Sequence, residues 1–110
     1  MVTKKNINKT ILENIRHYVK HINTEGYPIN KVIIFGSWAK GSQKVTSDID
    51  LCLVSSKFGS DEIAELQYLL KQTRLFDDRI EPVPVSTADF SQNVNPLVVE
   101  IKKYGVTIDI

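Results

Sequence analysis

One seven-residue segment limits the fold more than any other part of the sequence. Residues 48–54 alternate strictly between two sets of side chains. Because successive side chains of a β-strand point to opposite faces of its sheet, the segment predicts a strand with one face against a core. Asp48, Asp50 and Cys52 then share the other face. The side chains predicted to face the core are Ile49, Leu51 and Leu53.

The residues before this strand predict a helix, another strand and a loop. Residues 7–22 place apolar side chains at intervals of three and four, the spacing of an amphipathic helix, which residues 26–28 (GYP) end. Residues 31–35 (KVIIF) form a β-branched run that is typical of a buried strand. Residues 36–46 are then a compact loop with room for one helical turn.

The residues after this strand predict a helix and an edge strand. Asp61 is a good N-cap for a helix to about Thr73. Residues 79–85 (RIEPVPV) form a strand in which Pro82 and Pro84, two residues apart, lack N–H groups on the same side, so we expect this strand at a sheet edge. The apolar face predicted for the helix consists of Ile63, Leu66, Leu69 and Leu70.

The C-terminal residues predict a last helix and a short strand. Asn95 is its expected N-cap, Pro96 its first residue and Gly105 its C-terminal glycine. Tyr104 falls on the apolar side of this helix and is expected in the core. Residues 106–110 alternate as a further strand would.

Together these elements predict an α/β (α+β) domain with a small mixed sheet, flanking helices and the order α-β-turn-β-α-β-α. A loop joins the first two strands, which are therefore antiparallel, whereas a helix returns the chain so that the third strand lies parallel to the second. The chain has 110 residues, 42% of them hydrophobic, which suits one domain over residues 1–110.

This topology brings three carboxylates to one end of the sheet. Asp48 and Asp50 lie about 7 Å apart along one strand face, and Glu81 lies near the start of the parallel strand beside them. Adjacent carboxylates repel unless a cation lies between them, and their hard oxygens suit Mg²⁺ or Mn²⁺. The alternatives are that Asp48 closes a turn, that Asp50 is merely exposed and that Glu81 protects an edge strand from aggregation.

The loop after the first strand, G-S-W-A-K-G-S, lies at the same end. Gly36 allows close approach of a ligand to the backbone, and Ser37 with the N–H groups behind it could hold phosphate oxygens. Lys40 could neutralise phosphate charge. Alternatively, Ser37 is a simple N-cap and Lys40 is solvated.

Composition excludes several classes of partner and site. Fourteen basic and thirteen acidic residues give a net charge of +1, which offers no general attraction for nucleic acid or anionic lipid. The single cysteine cannot form an internal disulfide. No stretch has the apolar length of a signal peptide or a membrane-spanning helix. We therefore expect a cytoplasmic protein.

Two histidines and one aromatic residue have alternative interpretations. His17 and His21 are four residues apart, as in some zinc sites, but both lie off the apolar stripe and have no third ligand nearby, so solvent exposure is expected. Trp38 could cover the loop, stack on a nucleobase or contact a partner.

The motif in these residues resembles that of a known family. Gly36-Ser37, ten further residues and then Asp48-Ile49-Asp50 match the G-S-x10-D-x-D signature of the polymerase-β-type nucleotidyltransferase superfamily. The chain is similar to its minimal nucleotidyltransferase branch, relatives of the catalytic domain of kanamycin nucleotidyltransferase. The resemblance extends from the first strand through the last helix.

The resemblance implies transfer of a nucleoside monophosphate, AMP in particular, from a nucleoside triphosphate to a hydroxyl acceptor with release of pyrophosphate. In the family the Gly-Ser pair holds the distal phosphates, two aspartates bind Mg²⁺ or Mn²⁺, and a third carboxylate assists the acceptor. These roles carry over to Gly36, Ser37, Asp48 and Asp50, and the third carboxylate to Glu81, where many relatives have Asp.

The resemblance also implies a protein partner. Minimal nucleotidyltransferases are commonly paired with a small helical HEPN protein, and in some toxin–antitoxin pairs the transferase adds AMP to a tyrosine of that partner. We therefore expect a HEPN protein as partner and acceptor, with Trp38 as the candidate contact. The alternatives are a non-catalytic or weakly catalytic nucleotide-binding subunit of such a complex, and a small α/β domain with a coincidental motif.

Overall fold

The computed structural model describes residues 7–44 and 47–109, which form five helices and a four-stranded sheet. Within these ranges no helix has the length and apolar character needed to cross a membrane. In chain order the elements are α1 (Lys9–Thr24), β1 (Lys31–Phe35), α2 (Ser37–Lys40), β2 (Ile49–Ser55), α3 (Glu62–Thr73), β3 (Ile80–Ser86), α4 (Thr87–Ser91), α5 (Pro96–Tyr104) and β4 (Val106–Ile108).

The strands are ordered β3-β2-β1-β4, and both predicted pairings of β2 are confirmed. β1 runs antiparallel to β2, with Ile34 opposite Leu51, and β3 runs parallel to β2, with Asp50 opposite Glu81. β4 adds to the far side of β1 in antiparallel orientation. The predicted class, an α/β domain with a small mixed sheet and flanking helices, is therefore confirmed.

β3 occupies an edge of the sheet in the described part of the chain, as its prolines predicted. Alternate residues of a strand direct their N–H groups to opposite neighbours, and β3 pairs on one side with β2. Pro82 and Pro84 have no N–H group to donate, so their positions fit a strand whose outer side is not paired with another strand.

The sheet has apolar residues on both faces, and different helices cover them. α1 packs against the face that carries Leu51 and Leu53, and the Tyr18 hydroxyl donates a hydrogen bond of 2.9 Å to the buried carbonyl of Leu69 in α3. Burial raises the pKa of Tyr18. The second face includes Cys52, and its other buried residues are Ile33, Val54, Val85, Val98 and Ile101.

The predicted apolar face of α3 is wrong except at Leu69. Ile63, Leu66 and Leu70 are exposed, at 73%, 39% and 43%, whereas Leu69 is fully buried. The cause is Glu65, whose buried carboxylate accepts hydrogen bonds from the N–H of Gly59 (2.9 Å) and from two further donors in residues 60–61. Turning Glu65 inward to close this loop turns the three apolar side chains outward.

α5 begins as predicted, with the Asn95 side chain accepting from the N–H of Leu97 and Pro96 at the first position. Gly105 ends the helix without a left-handed conformation (φ −73°); it is needed instead because a Cβ there would collide with Ile33 and the Ile101 carbonyl. The predicted burial of Tyr104 is wrong, since its side chain is 55% exposed.

Two details of the helices differ from expectation. α4 was not predicted; it begins where the Ser86 hydroxyl accepts a hydrogen bond from the N–H of Asp89. His17 is exposed as expected, but His21 is half-buried, with its Nε2 2.7 Å from Oε1 of Gln72 and its ring beside Phe76. The His21 side chain therefore lies in the contact between α1 and the C-terminal end of α3.

Candidate functional site

A glycine turn after β1 forms one wall of the candidate site. Gly36 has a φ of 72° and a ψ of −146°, a conformation that residues with a Cβ rarely adopt. A Cβ at this position would collide with the Asp50 carboxylate oxygen Oδ2. Only glycine therefore permits both the turn and the close packing of Asp50 against it.

The turn leads directly into the short helix α2. Gly36 is its N-cap and Ser37 its first residue, so Ser37 is not the N-cap that one interpretation proposed. Trp38 is buried in the core, and its indole Nε1 donates a hydrogen bond of 3.3 Å to the carbonyl of Ser47. The prediction of Trp38 as a partner contact is wrong, because a side chain that is 6% exposed is committed to holding residue 47, next to Asp48, against α2.

Three carboxylates meet beside this turn. Asp48 immediately precedes β2, Asp50 is the second residue of β2, and Glu81 is the second residue of β3, directly opposite Asp50 in the parallel register. Asp50 is half-buried, whereas Asp48 and Glu81 are exposed. We call Asp48, Asp50 and Glu81 the carboxylate cluster.

The electrostatics of the carboxylate cluster show that its members interact. Burial raises the pKa of Asp50; a hydrogen bond with Glu81 opposes this shift, and the charge of Asp48 adds to it. The pKa of Glu81 is also raised, first by loss of hydration and then by the charges of Asp48 and Asp50, with which its carboxyl group hydrogen-bonds. The cluster therefore favours bound protons or another source of positive charge.

The donor atoms of the cluster suit a hard divalent cation. Carboxylate oxygens are the ligands that Mg²⁺ and Mn²⁺ prefer. A bound cation would also relieve the electrostatic repulsion between the carboxylates of the cluster. In residues 7–44 and 47–109, no group of three or more His, Cys, Asp or Glu side chains is arranged as a ready metal-ligand set. The arrangement is that of interacting carboxyl groups, in which the pKa values of Asp50 and Glu81 are raised by loss of hydration and by neighbouring negative charge.

A turn before β3 fixes the position of Glu81. The carboxylate of Asp77 accepts hydrogen bonds from the Arg79 side chain, with Oδ1 3.0 Å from Nε and Oδ2 2.8 Å from Nη2. The carbonyl of Arg79 in turn accepts a hydrogen bond of 2.8 Å from the N–H of Ile49, the first residue of β2, which lies between Asp48 and Asp50. This pair was missed from the sequence, although an Asp two residues before an Arg at the start of a strand is a signal for such a turn.

Lys40 lies beside the cluster but is engaged elsewhere. Its Nζ lies 3.9 Å from Oε1 of Glu100, and both side chains are more than half exposed. Together with Gly36 and Asp50, these two residues line one cavity. An exposed pair at this distance is worth little free energy, so Lys40 can exchange Glu100 for a phosphate oxygen at small cost.

Two residues of α5 near the site were not singled out as functional from the sequence. Glu100 and Tyr104 line the same cavity as Asp50. They are four residues apart and share one helix face, while Val98 and Ile101 on the other face are buried against the sheet. The four-residue spacing of Glu100 and Tyr104 could therefore be seen in the sequence. The position of α5 beside β1, which brings them to the site, could not.

Comparison with known proteins gives a family for this arrangement. The profile of the nucleotidyltransferase domain matches residues 12–108 of the chain. A protein of Methanocaldococcus jannaschii, provisionally named a protein adenylyltransferase, is 46% identical over 41 residues. That match spans 37% of this chain and 46% of the relative, so the chain is aligned with less than half the length of this curated relative.

Solved structures share the fold. A provisionally named nucleotidyltransferase from Sulfolobus solfataricus superposes with a TM-score of 0.60 at 22% identity, covering 82% of this chain and 81% of that one. A toxin–antitoxin protein crystallised with AMP-PNP gives a TM-score of 0.61 at 20% identity, covering 89% of this chain and 72% of that one. At these identities the likeness concerns the fold.

Proposed function

Since the chain belongs to the nucleotidyltransferase domain family, we propose that it transfers a nucleoside monophosphate, AMP, from a nucleoside triphosphate to a hydroxyl acceptor. The observation that supports this most directly is the meeting of Asp48, Asp50 and Glu81 beside the Gly36 turn. In this family's chemistry, positioning and charge stabilisation contribute most to the rate, and a cluster of carboxylates beside a glycine turn can supply both.

The proposed reaction exchanges one phosphorus–oxygen bond for another. The acceptor oxygen forms a bond to the α-phosphorus, and the bond from that phosphorus to the oxygen that bridges to the β-phosphorus breaks. Pyrophosphate leaves with the electron pair, and the acceptor proton passes to Glu81. This carboxylate is exposed at the sheet edge, so an acceptor can reach it, and its raised pKa makes it a stronger base than an ordinary Glu.

Asp48 and Asp50, with Glu81, are the residues that would hold Mg²⁺ or Mn²⁺. Such a cation would neutralise charge on the phosphates and stabilise the charge that develops during the displacement. Because protonation removes the negative charge that would attract a cation, and because the pKa values of Asp50 and Glu81 are raised, cation affinity should fall as the pH falls.

Gly36, Ser37 and Lys40 are proposed to hold the distal phosphates. Gly36 forms the turn that leads into α2, and the Ser37 hydroxyl follows this turn at the first position of the helix. Lys40 supplies the positive charge on this side of the site once it leaves Glu100.

For the acceptor we propose a tyrosine of a small helical HEPN partner, with this chain as the antitoxin of the pair. The toxin–antitoxin neighbour crystallised with AMP-PNP supports the coarser part of this proposal, that the protein has a partner. The exposure of Asp48 and Glu81 supports it further, because one side of the cluster is open to a second molecule.

The test is incubation of the protein with each labelled nucleoside triphosphate, Mg²⁺ and the product of the neighbouring gene. We expect label from ATP on the partner, one added AMP by intact mass, and co-elution of the two proteins in size exclusion. Asp50→Asn should abolish the label, whereas Asp78→Asn, which removes an exposed carboxylate outside the cluster, should retain it.

The outcomes separate the parts of the proposal. Two separate elution peaks without added mass would contradict the HEPN partner and leave a small molecule or a nucleic-acid end as acceptor. Label transfer that survives Asp50→Asn would contradict the role of the carboxylate cluster.

A further inference from the structure

A cavity adjoins the carboxylate cluster on the side away from Glu81. It lies between the end of β1, α2 and α5, has a volume of about 170 Å³, and shares Gly36 and Asp50 with the candidate site. Pockets that enclose a whole drug-sized ligand usually measure roughly 300–1,000 Å³. This cavity therefore suits a single planar ring system rather than an entire nucleotide.

The cavity has aromatic walls and a polar rim. Phe35 ends β1 and is half-buried, and Tyr104 ends α5 with 55% of its surface exposed. Lys40 and Glu100 supply a cation and a carboxylate beside them. An aromatic ring that the core does not bury, placed at the mouth of a cavity with polar groups around it, is suited to stack on a flat ligand with polar edges.

One face of the Tyr104 ring has a neighbour. The Nζ of Lys103 lies over the ring, 5.3 Å from its centroid. A ligand that stacks on Tyr104 would use the other face and would gain from the adjacent positive charge if it were joined to phosphates.

The strand order separates this cavity from the proposed acceptor position. β2 lies between β3 and β1, and Asp50 is opposite Glu81 on one side and opposite Phe35 on the other. A phosphorus atom at Asp50 would thus have the Glu81 side open to an acceptor. The leaving pyrophosphate, proposed at Gly36 and Ser37, and the nucleoside would both lie on the Phe35 side, where Tyr104 is the aromatic residue outside the phosphate-binding turn.

From this arrangement we infer that the cavity binds the nucleobase of the donor nucleotide, with Tyr104 stacked on the base and Glu100 at its polar edge, while Lys40 lies between the base and the distal phosphates that it is proposed to hold. The inference rests on the proposed function and deepens it, because it assigns the nucleoside part of the substrate to residues outside the G-S-x10-D-x-D motif.

The test compares ATP with inorganic tripolyphosphate, which has the phosphates and no base. Calorimetric titrations with Mg²⁺ present use wild type, Tyr104→Ala, Tyr104→Phe and Val94→Ala, an exposed apolar control outside the cavity lining. We expect Tyr104→Ala to weaken ATP roughly 5- to 150-fold, the range of base–aromatic stacking by alanine substitution, and to leave tripolyphosphate unchanged. Tyr104→Phe and Val94→Ala should bind both ligands as wild type does.

Unchanged tripolyphosphate affinity in Tyr104→Ala also shows that this variant is folded. Equal ATP affinity in Tyr104→Ala and wild type would overturn the inference, as would equal losses for ATP and tripolyphosphate. Loss of transfer to the acceptor with intact ATP affinity would also overturn it, since the cavity would then serve the acceptor. Failure of the wild type to bind either ligand would instead contradict the proposed function itself.

Discussion

The turn before β3 provides a quantitative test of how the fold positions the candidate site. Asp77 is only 9% exposed, and its carboxylate accepts hydrogen bonds from the Arg79 side chain, from the Arg79 N–H (3.1 Å) and from Nδ2 of Asn14 (3.2 Å). Asp77→Asn keeps the shape of the side chain but removes its charge. The substitution also replaces one carboxylate oxygen with an amide NH₂ group. This donor would face the N–H donors of Arg79 or Asn14.

The expected cost follows from the burial of this pair. Removing one partner of a buried charge pair costs about 3–5 kcal/mol. The side chain of Arg79 is 32% exposed, so its guanidinium recovers part of its hydration when Asp77 loses its charge. We therefore expect the free energy of unfolding to fall by about 2 kcal/mol at pH 7. The midpoint of thermal unfolding should fall by roughly 8–12 °C.

The same pair predicts a dependence on pH. Hydrogen bonds from Arg79 hold the pKa of Asp77 below its ordinary value of 3.8, and those from Asn14 contribute less. A lowered pKa in the folded state means that the ionised carboxylate stabilises the fold above the unfolded pKa. The stabilisation is then lost as the pH falls through the folded pKa. The difference between wild type and Asp77→Asn should be constant from about pH 7 to pH 5 and shrink below about pH 4.

The assay is urea unfolding of both proteins between pH 7 and pH 3, with Asp78→Asn as the matched control. Asp78 is exposed, so its replacement should change the free energy of unfolding by less than about 0.5 kcal/mol. A cost for Asp77→Asn as small as that of the control at pH 7 would refute the energetic reasoning. A cost that stays the same down to pH 3 would refute the assignment to the ionised carboxylate.

Three further substitutions test the site and the packing. Asp50→Asn should abolish Mg²⁺-dependent ATP binding in calorimetry and leave the thermal midpoint unchanged or higher, because carboxylate repulsion is relieved; unchanged ATP affinity would contradict the metal site. Gly36→Val should weaken ATP binding more than AMP binding, since its side chain would obstruct the phosphates and meet Asp50; equal losses would contradict the phosphate role. Ile63→Lys should cost less than about 0.5 kcal/mol in urea unfolding, because Ile63 is 73% exposed; a cost of several kcal/mol would place it in the core.

The elements that local spacing determines could be predicted from the sequence. The alternation in residues 48–54 predicted the faces of β2, and the two prolines of β3 predicted its edge position. The meeting of Glu81 with Asp50 followed from these two strands, because a returning helix makes them parallel and fixes which ends lie together. The position of Glu81 beside Asp50 was therefore predicted from the order and direction of the strands, because the motif itself ends at Asp50.

The rotation of α3 could not be predicted, because two faces of this helix have helical spacing. One face contains Ile63, Leu66 and Leu70, and the other contains Glu65, Leu69 and Thr73. Hydrophobicity favours the first face, but hydrogen bonds from residues 59–61 to Glu65 favour the second. That choice depends on a loop contact, which hydrophobic spacing does not reveal.

The positions of Trp38 and Tyr104 were predicted the wrong way round for a similar reason. Trp38 lies just after the glycine turn, a position where the sequence suggested an exposed side chain. Its indole is instead buried in the core between α2 and the rest of the domain. Tyr104 continues an apolar pattern, yet it is the last residue of α5, beyond the part of that helix that covers the sheet. In both cases the tertiary position of a short helix decides the burial, and sequence periodicity carries no information about that position.

The prolines of β3 also limit how this protein can associate with others. A free sheet edge normally recruits a strand from another chain through its outward N–H and C=O groups. Pro82 and Pro84 offer carbonyl acceptors but no donors, so an incoming strand would find only half of its hydrogen bonds. At the opposite edge, β4 provides just three residues, Val106–Ile108. In the described part of the sheet, edge-to-edge assembly into fibres is therefore disfavoured by the backbone itself, and any partner of this protein is expected to recognise side chains rather than to add a strand at β3.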